Sequence, residues 1–423
     1  MATARQKPRI LFDLSFAARG YCGIAQDVRL LYRALASRPE LDVTGLIYLP
    51  QRMPVAHRFL PANAHPGDRL ANQSSFLWNF NDERQNWPPF KSMRLLKELR
   101  ELAALAFTSR VQFDPLETRV FWDWIWRMLF SPTLSAADIP LVQNGKFLLS
   151  NLSDGIIHAR VLLGRRKLKL DTRDFDYLIV QDPRPLRLSS HTLQIVRYHD
   201  LIPVLRPDTM KNPWHIHWHH RSIREHGDRS LFVCNSQPTR DDLTAAYPEL
   251  RSHSTTIPNI LSDSYYPDPR GELVAKIIER RRSLAAGAPQ KSGADCPRYV
   301  MSVSTLEPRK NFVSLIAAFN LLKERARPGS PLADLKLLIV GSPGWKFEPI
   351  LSAMREPIQR GDLVHLEKVP TDELRVLYSH AQAFAFVSNY EGFGFPPLEA
   401  MQCGTPAIVS DISTHRWVVG DAA

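Results

Sequence analysis

Short apolar runs alternate with segments of helical apolar spacing along most of the chain. RILFDLS at 9–15 predicts a buried strand, the loop FAARGYCG follows it, and IAQDVRLLYRALAS at 24–37 has the apolar spacing of a helix. LDVTGLIYL at 41–49 predicts the next strand. A strand, a glycine-containing loop and a helix in this order predict the opening of an α/β domain.

The same alternation resumes near residue 177 and continues to the end of the chain. The pattern predicts strands at 177–182, 193–200, 230–236, 254–260, 299–305, 335–341, 363–369, 383–388 and 406–411, and helices at 212–227, 239–247, 312–325, 348–359, 371–381 and 397–404. Regular alternation of this kind predicts parallel sheets with helices on both faces.

Residues 50–170 do not follow the alternation. KSMRLLKELRELAALAF at 91–107 has the pattern of a basic amphipathic helix, and RVFWDWIWRMLF at 119–130 is crowded with aromatic residues. We therefore predict a largely helical insertion. Its aromatic side chains either pack into the neighbouring domain or lie on an anionic membrane, and we favour packing.

A change of composition predicts the domain junction. Residues 264–297 combine prolines, a charged helical pattern and a Gly/Ala/Ser tract. We expect an amino-terminal domain at 1–265, a linker at 266–295 and a carboxy-terminal domain at 296–423.

The net charge and the cysteine content limit the kinds of partner and site that the protein is expected to have. The 423 residues carry a formal net charge of +11, which favours an anionic partner such as a phosphorylated substrate or an acidic membrane, although arginine-rich surface helices account for it equally well. The four cysteines are far apart and form no CxxC, so neither a disulfide framework nor a zinc site is expected. Because no signal peptide or spanning apolar run is visible, we predict a cytoplasmic protein, at most peripheral on a membrane.

Residues suited to a ligand-binding site are concentrated in the stretch FVSNYEGFGFPPLEAMQCGTPAIVSD at 386–411. It begins at the carboxyl end of a predicted strand, where open α/β sheets bind ligands. Gly392 and Gly394 allow close backbone approach, and the prolines that follow suit the first turn of a helix. Backbone amides there suit phosphate oxygens, and Glu391 and Glu399 suit sugar hydroxyls. An ordinary strand-to-helix loop remains the alternative on residue chemistry alone.

These residues resemble a known family. Glu391 and Glu399 are separated by seven residues and match the E-x7-E signature of retaining nucleotide-sugar glycosyltransferases, family four or group 1. The resemblance extends through VSTLEPRKNFVSLIAAFNLL, LLIVGSPGW and VPTDELRVLYSHAQAFAFVS. It implies a GT-B fold, in which two Rossmann-like domains face a cleft. In that family a further helix follows WVVGDAA, so the resemblance also implies a second domain incomplete at its carboxyl end.

The resemblance implies a role for each matching residue. His199 and Glu391 match positions near the transferred sugar. The positions that match donor-binding residues are Arg309 and Lys310 at the diphosphate, Gly392, Phe393 and Gly394 through their backbone, and Glu399 at the ribose. Gly20 and Gly23 match a loop facing the diphosphate or the acceptor.

The reaction implied is transfer of mannose or another hexose, with retention, from a nucleotide-diphosphate donor to a glycan or lipid-linked acceptor. Fixed cations stabilise a diphosphate leaving group without a metal, so neither a metal nor a cofactor is expected. Three alternatives stay open: an epimerase or phosphorylase of the same fold, an inactive fragment, and a basic binding module. We expect no nucleic-acid partner, since only the net charge supports one.

Two short motifs are weaker signals of metal binding. DFD at 174–176 precedes a predicted strand, whereas a metal-binding D-x-D is expected to follow one, so we predict a surface loop. His215 and His219 have the i, i+4 spacing of zinc ligands but no third ligand is identifiable, so a packed or solvated helix is expected.

Overall fold

Two mainly parallel β-sheets organise the computed structural model, which describes residues 7–20, 22–49, 59–82, 111–153, 168–210, 214–226, 229–286 and 297–423. Within these residues the first sheet has the strand order β10-β9-β8-β6-β1-β2-β4-β3, and the second has the order β13-β12-β11-β14-β15. The strands are β1 (Arg9–Asp13), β2 (Asp42–Leu49), β3 (Phe113–Pro115), β4 (Lys146–Ser153), β5 (Leu168–Lys169), β6 (Tyr177–Val180), β7 (Leu186–Arg187), β8 (Leu193–Tyr198), β9 (Ser230–Cys234), β10 (Ser254–Thr256), β11 (Tyr299–Val303), β12 (Lys336–Val340), β13 (Leu363–Leu366), β14 (Ala383–Phe386) and β15 (Ala407–Val409).

Helices cover both sheets. They are α1 (Gly23–Ala36), α2 (Pro66–Asp82), α3 (Thr118–Ile125), α4 (Ile139–Gln143), α5 (Ile202–Leu205), α6 (Trp214–His226), α7 (Gln237–Ala246), α8 (Leu273–Ala286), α9 (Phe312–Arg325), α10 (Glu348–Arg360), α11 (Thr371–Ser379), α12 (Phe395–Gln402) and α13 (Ser413–Val419). Because both faces are covered, central strands such as β1 and β14 are continuous apolar runs rather than alternating ones. None of the helices in the described ranges is long and apolar enough to cross a lipid bilayer.

The described part of the predicted insertion at 50–170 contains the helices α2, α3 and α4, but it also contributes to the first sheet two strands that we did not predict. Strand β4 pairs in parallel with β2, and β3 pairs antiparallel with β4, so the segment extends the first sheet. The run KFLLSNLS is short and follows Asn144-Gly145, and a short apolar run does not distinguish a strand from a buried helix. The predicted basic helix at 91–107 lies outside the described residues.

The aromatic stretch at 119–130 packs into the first domain, as we favoured. It forms α3 and a π-helical turn at Trp126–Phe130. The Phe130 ring is fully buried, with its centroid 5.1 Å from that of Tyr32 on α1. The tryptophans of this stretch lie partly buried against the same core.

A buried ion pair connects α1 to β8 close to the carboxyl end of that strand. The Nε of Arg197 lies 2.9 Å from Asp27 Oδ2, and both side chains are almost completely buried. The same guanidinium donates to the backbone oxygen of Ile257 at 2.6 Å and to Asn259 Oδ1 at 2.5 Å. One buried guanidinium thus holds Asp27, Ile257 and Asn259 against the end of β8.

Replacing Asp27 with Asn should lower the free energy of unfolding by about 3–5 kcal/mol, because it leaves a buried guanidinium without its counter-charge. The matched control is Asp123→Asn, which removes an exposed i, i+4 pair with Arg127 and should change stability by only about 0.3–0.5 kcal/mol. Chemical denaturation followed by circular dichroism measures both. Equal effects of the two substitutions would contradict this assignment.

Candidate active site

A cavity of about 840 Å³ lies between the two sheets, at the carboxyl ends of their strands. Its walls include residues that follow β1 and β8 in the first sheet and β11, β12 and β14 in the second. The structure brings every residue of the predicted site into this one cavity: Gly20, Gly23, His199, Arg309, Lys310, Glu391, Gly392, Phe393, Gly394 and Glu399. Their chemical roles remain predictions.

Strand order explains why residues 82 positions apart meet here. Strands β11 and β14 are neighbours in parallel, so the loops after them leave the sheet side by side. Arg309 and Lys310 lie in a short 3-10 turn after β11, which Asn311 ends in a left-handed conformation with φ 58°. The backbone N–H of Asn389, after β14, donates to the carbonyl oxygen of Arg309 at 2.8 Å. This bond ties the two loops together directly.

Glu391 is the buried centre of the site. Its carboxylate oxygens lie 2.8 Å from Arg309 Nη1 and 2.5 Å from Lys310 Nζ, and only 7% of the residue is exposed. Burial alone would raise the pKa of this carboxyl, but Lys310 and then Arg309 outweigh it and lower the pKa to about 2. Glu391 is therefore ionised throughout the physiological pH range.

The pKa values of the two cations are shifted in opposite directions. Burial and the neighbouring Arg309 lower the pKa of Lys310, although Glu391 partly offsets both. Burial also acts to lower the pKa of Arg309, but Glu391 and Glu307 raise it above its ordinary value. Both cations therefore lie in a desolvated, electrostatically coupled group in which the carboxylates supply the compensating charge.

Glu399 has a different environment, in which the described structure places no cation in hydrogen-bond contact. Its carboxyl accepts from Gln26 Nε2 at 3.0 Å and from the Tyr378 hydroxyl at 3.2 Å. Burial raises its pKa to about 7, although hydrogen bonds from Gln26, Tyr378 and Tyr265 act to lower it. Since Gln26 lies on α1 and Tyr378 on α11, this carboxyl connects the two domains.

The predicted helix at 397–404 would place Glu399 in its first turn, and this placement is wrong. Helix α12 starts at Phe395, two residues earlier than predicted, with Gly394 as its N-cap at φ 93°. The two prolines do occupy the first turn, as expected. Glu399 consequently lies in the second turn, where burial dominates and the helix dipole contributes little.

His199 lies directly against the turn at residues 390–394, which we call the glutamate turn. Its Nε2 is 3.0 Å from Gln181 Oε1, and burial lowers the pKa of the imidazole to about 4, so the ring is neutral at pH 7. A Cβ on Gly392 would lie 1.9 Å from the His199 carbonyl oxygen. Glycine at 392 is therefore required for the two backbones to approach.

The first glycine loop is held by an arginine that sequence reasoning did not identify. Arg29 is fully buried, and its Nη2 donates to the carbonyl oxygens of Ala17 at 2.5 Å and Gly20 at 2.6 Å. Gly20 has φ +73°, and a Cβ on Gly23 would lie 3.2 Å from the Phe395 ring. The loop therefore packs against the start of α12, on the opposite side of the cleft.

Several further residues of the site carry no motif. Gln26 and Tyr378 contact Glu399, and Thr414 Oγ1 donates to the Glu391 carbonyl oxygen at 2.7 Å. Asn235 lines the cavity and is almost fully buried, and its Oδ1 has no hydrogen-bond partner among the described residues. Thr414 could have been found only from an expectation that a helix follows β15. The contact of Gln26 depends on the packing of the two domains, and the contact of Tyr378 depends on the packing of α11 against α12.

The two weak motifs have structural roles. Asp176 Oδ2 accepts from the backbone N–H of Arg9 at 2.8 Å, so the DFD loop fixes the start of β1. His219 Nε2 lies 2.8 Å from the Tyr198 hydroxyl. Across the described ranges, no group of three or more His, Cys, Asp or Glu residues is arranged to hold a metal ion.

Known proteins share both this fold and this sequence pattern. The solved sucrose-phosphate synthase from Thermosynechococcus elongatus superimposes with a TM-score of 0.52 at 14% identity, covering 97% of this chain and 83% of that one. Residues 288–423 match the sequence profile of the family described as Glycosyl transferases group 1. This match is to the carboxy-terminal domain and supports the predicted resemblance to the group 1 glycosyltransferases. The fold is that of a GT-B protein, as predicted.

Curated relatives extend the match into the first domain. An O-antigen chain mannosyltransferase B of Escherichia coli is 28% identical over 220 residues, which is 48% of this chain and 56% of that protein. A serotype-specific mannosyltransferase of the same organism is 30% identical over 233 residues, or 53% of this chain and 27% of that protein. The chain thus spans about half of the first relative and about a quarter of the second.

The raised pKa of Glu399 predicts a pH-dependent stability change. Below its ordinary pKa of 4.5 this carboxyl is protonated in both the folded and unfolded states, and between 4.5 and about 7 only the folded state keeps the proton. Stability therefore falls as pH rises through this window. Replacing Glu399 with Gln should raise the unfolding temperature at pH 8 and have a smaller effect at pH 5.

Thermal unfolding at the two pH values measures this difference. The control is Glu356→Gln, which alters a carboxyl exposed over 76% of its surface and should change little at either pH. Destabilisation by Glu399→Gln of equal size at both pH values would contradict a buried, protonatable carboxyl.

Proposed function

We propose that this protein is a retaining glycosyltransferase that moves a hexose, with mannose favoured, from a nucleotide-diphosphate donor to a glycan or lipid-linked acceptor. The observation that supports this most is the meeting of Arg309, Lys310 and Glu391 in the cavity between the domains. The names of the curated relatives support mannose as the sugar and polysaccharide or cell-envelope synthesis as the process.

The cation pair is suited to the leaving group. When the bond between the anomeric carbon and the diphosphate breaks, negative charge accumulates on the phosphate oxygens. Arg309 offers a planar fork of N–H donors, and Lys310 offers a compact positive charge. Both are preorganised in a buried site, where such donors stabilise developing charge more strongly than in water. A bound diphosphate would share with Glu391 the cations that the carboxylate now holds.

Retention is proposed to follow from attack on the same face of the sugar. Glu391 is engaged by both cations, so it is not assigned as a covalent nucleophile. The acceptor hydroxyl attacks the anomeric carbon as the diphosphate departs, and the hydroxyl proton passes to a phosphate oxygen. His199, which is neutral at pH 7, is proposed to hydrogen-bond the transferred sugar. The side-chain Oδ1 of Asn235 offers a further acceptor for a sugar hydroxyl.

Glu399 is proposed to bind the donor ribose. In its ionised form it accepts hydrogen bonds from two hydroxyls, whereas its protonated form must donate one. Gln26 Nε2 donates a hydrogen bond to this carboxyl at 3.0 Å, and a bound ribose would replace that hydrogen bond. Because Arg309 and Lys310 supply the charge that the diphosphate requires, we propose metal-independent transfer. We also propose a cytoplasmic location with peripheral membrane contact, where a lipid-linked acceptor is accessible.

Lys310→Ala should lower turnover of nucleotide-diphosphate hexoses by about 100-fold or more, as removal of a single charge-stabilising donor does in other active sites. Glu391→Ala should lower it to a similar extent, because it removes the carboxylate that positions and compensates both buried cations. Thermal-shift screening of nucleotide sugars first identifies the donor, because a tight ligand raises apparent stability. Transfer to a lipid-linked acceptor is then measured with and without a metal chelator.

Lys276→Ala is the matched control, since this lysine lies exposed on α8 and should leave turnover unchanged. Wild-type activity in the two substituted proteins would remove the site assignment. Loss of wild-type activity in chelator would refute metal independence and leave the assignment of the cations standing.

A further inference from the structure

Helix α7 of the first domain contacts the glutamate turn of the second domain on both sides of Glu391. The hydroxyl of Tyr390 donates to Asp242 Oδ2 on α7 at 2.5 Å. The Oγ of Ser236, the N-cap of α7, donates to the Gly392 carbonyl oxygen at 2.6 Å. Residues 390 and 392 are therefore both attached to one rigid element, and Glu391 lies between them.

The contact at Gly392 is buried and preorganised. Ser236 and Thr239 are at most 1% exposed. Ser236 Oγ also accepts from the Thr239 backbone N–H at 3.2 Å and lies 3.0 Å from Thr239 Oγ1. Thr239 Oγ1 lies 3.1 Å from the Gly392 carbonyl oxygen and 3.5 Å from that of His199. The start of α7 thus bridges the backbones of the two residues predicted to flank the transferred sugar.

Within the second domain itself, the turn is held at a different atom. Thr414 Oγ1 on α13 donates to the Glu391 carbonyl oxygen at 2.7 Å. The carboxylate of Glu391 forms ion pairs with Arg309 and Lys310, which follow β11 in the same domain. The hydrogen bonds that cross the cleft hold the residues on either side of Glu391, and they therefore fix this turn relative to His199.

We infer that Ser236 and Asp242 are positioning residues, which align Glu391 with His199 only when the two domains are docked. The inference rests on the proposed transfer reaction. Arg309 and Lys310, which would hold the donor diphosphate, both belong to the second domain, and their side chains bond to Glu307, Tyr390 and Glu391 of that domain. Loss of the α7 contacts should therefore impair the chemical step and leave diphosphate binding intact.

Kinetic comparison of matched variants tests this. Ser236→Ala and Asp242→Asn should each lower kcat at least 10-fold, with the Kd for the nucleoside diphosphate changed less than 2-fold, and Ser236→Thr should recover part of the loss. The controls are Thr244→Val and Asp241→Asn on the same helix, whose side chains hydrogen-bond within α7. These controls should retain wild-type kcat.

Hydrogen exchange provides a second test that does not need activity. In Ser236→Ala, amides of residues 390–394 should exchange at least 5-fold faster, while those of residues 307–311 keep their wild-type rates. Unchanged exchange at 390–394 would overturn the inference, as would a fall in nucleotide affinity that accounts for the whole loss of turnover. A third outcome separates the two proposals. If the wild-type protein is inactive but the amides of residues 390–394 exchange faster in Ser236→Ala, the proposed function is refuted and the positioning role of Ser236 is retained.

Discussion

The structure depends on one buried carboxylate between two buried cations. Glu391 could not be ionised in this environment without Arg309 and Lys310, and the two cations could not be desolvated together without Glu391 and Glu307. This constraint requires the loops after β11 and β14 to leave adjacent parallel strands at the same sheet edge. The strand order β12-β11-β14-β15 supplies that arrangement.

The surrounding features keep this ionic centre between the domains. Glycine at 392 allows the turn to approach the His199 backbone, and Gly394 reverses the chain into α12. Glu399 then reaches Gln26 on the opposite domain. The site thus contains two carboxyls with opposite behaviour. One is kept ionised by cations, and the other has a pKa raised to about 7 by burial. Different chemical roles for the two are expected from that difference.

Local sequence patterns predicted the parallel sheets and the cavity position because each depends on short-range information. Apolar runs identified β1, β11 and β14, and residues just after such strands gather at one sheet edge. Strand β4 was missed because a short apolar run beside an aromatic helix is ambiguous without its partner β2. Gln26 and Ser236 were missed as site residues because their contacts with the second domain cross the cleft, and no spacing along the chain encodes the packing of two domains.

A crystal structure of the protein with a bound nucleoside diphosphate would show directly which residues hold the two phosphates. We expect phosphate oxygens within about 2.7–3.2 Å of the Arg309 guanidinium and the Lys310 ammonium, with Glu391 sharing or releasing those cations. We also expect the ribose hydroxyls at Glu399. A diphosphate bound elsewhere in the cavity, with both cations still held by Glu391 at their present distances, would contradict this assignment of the site.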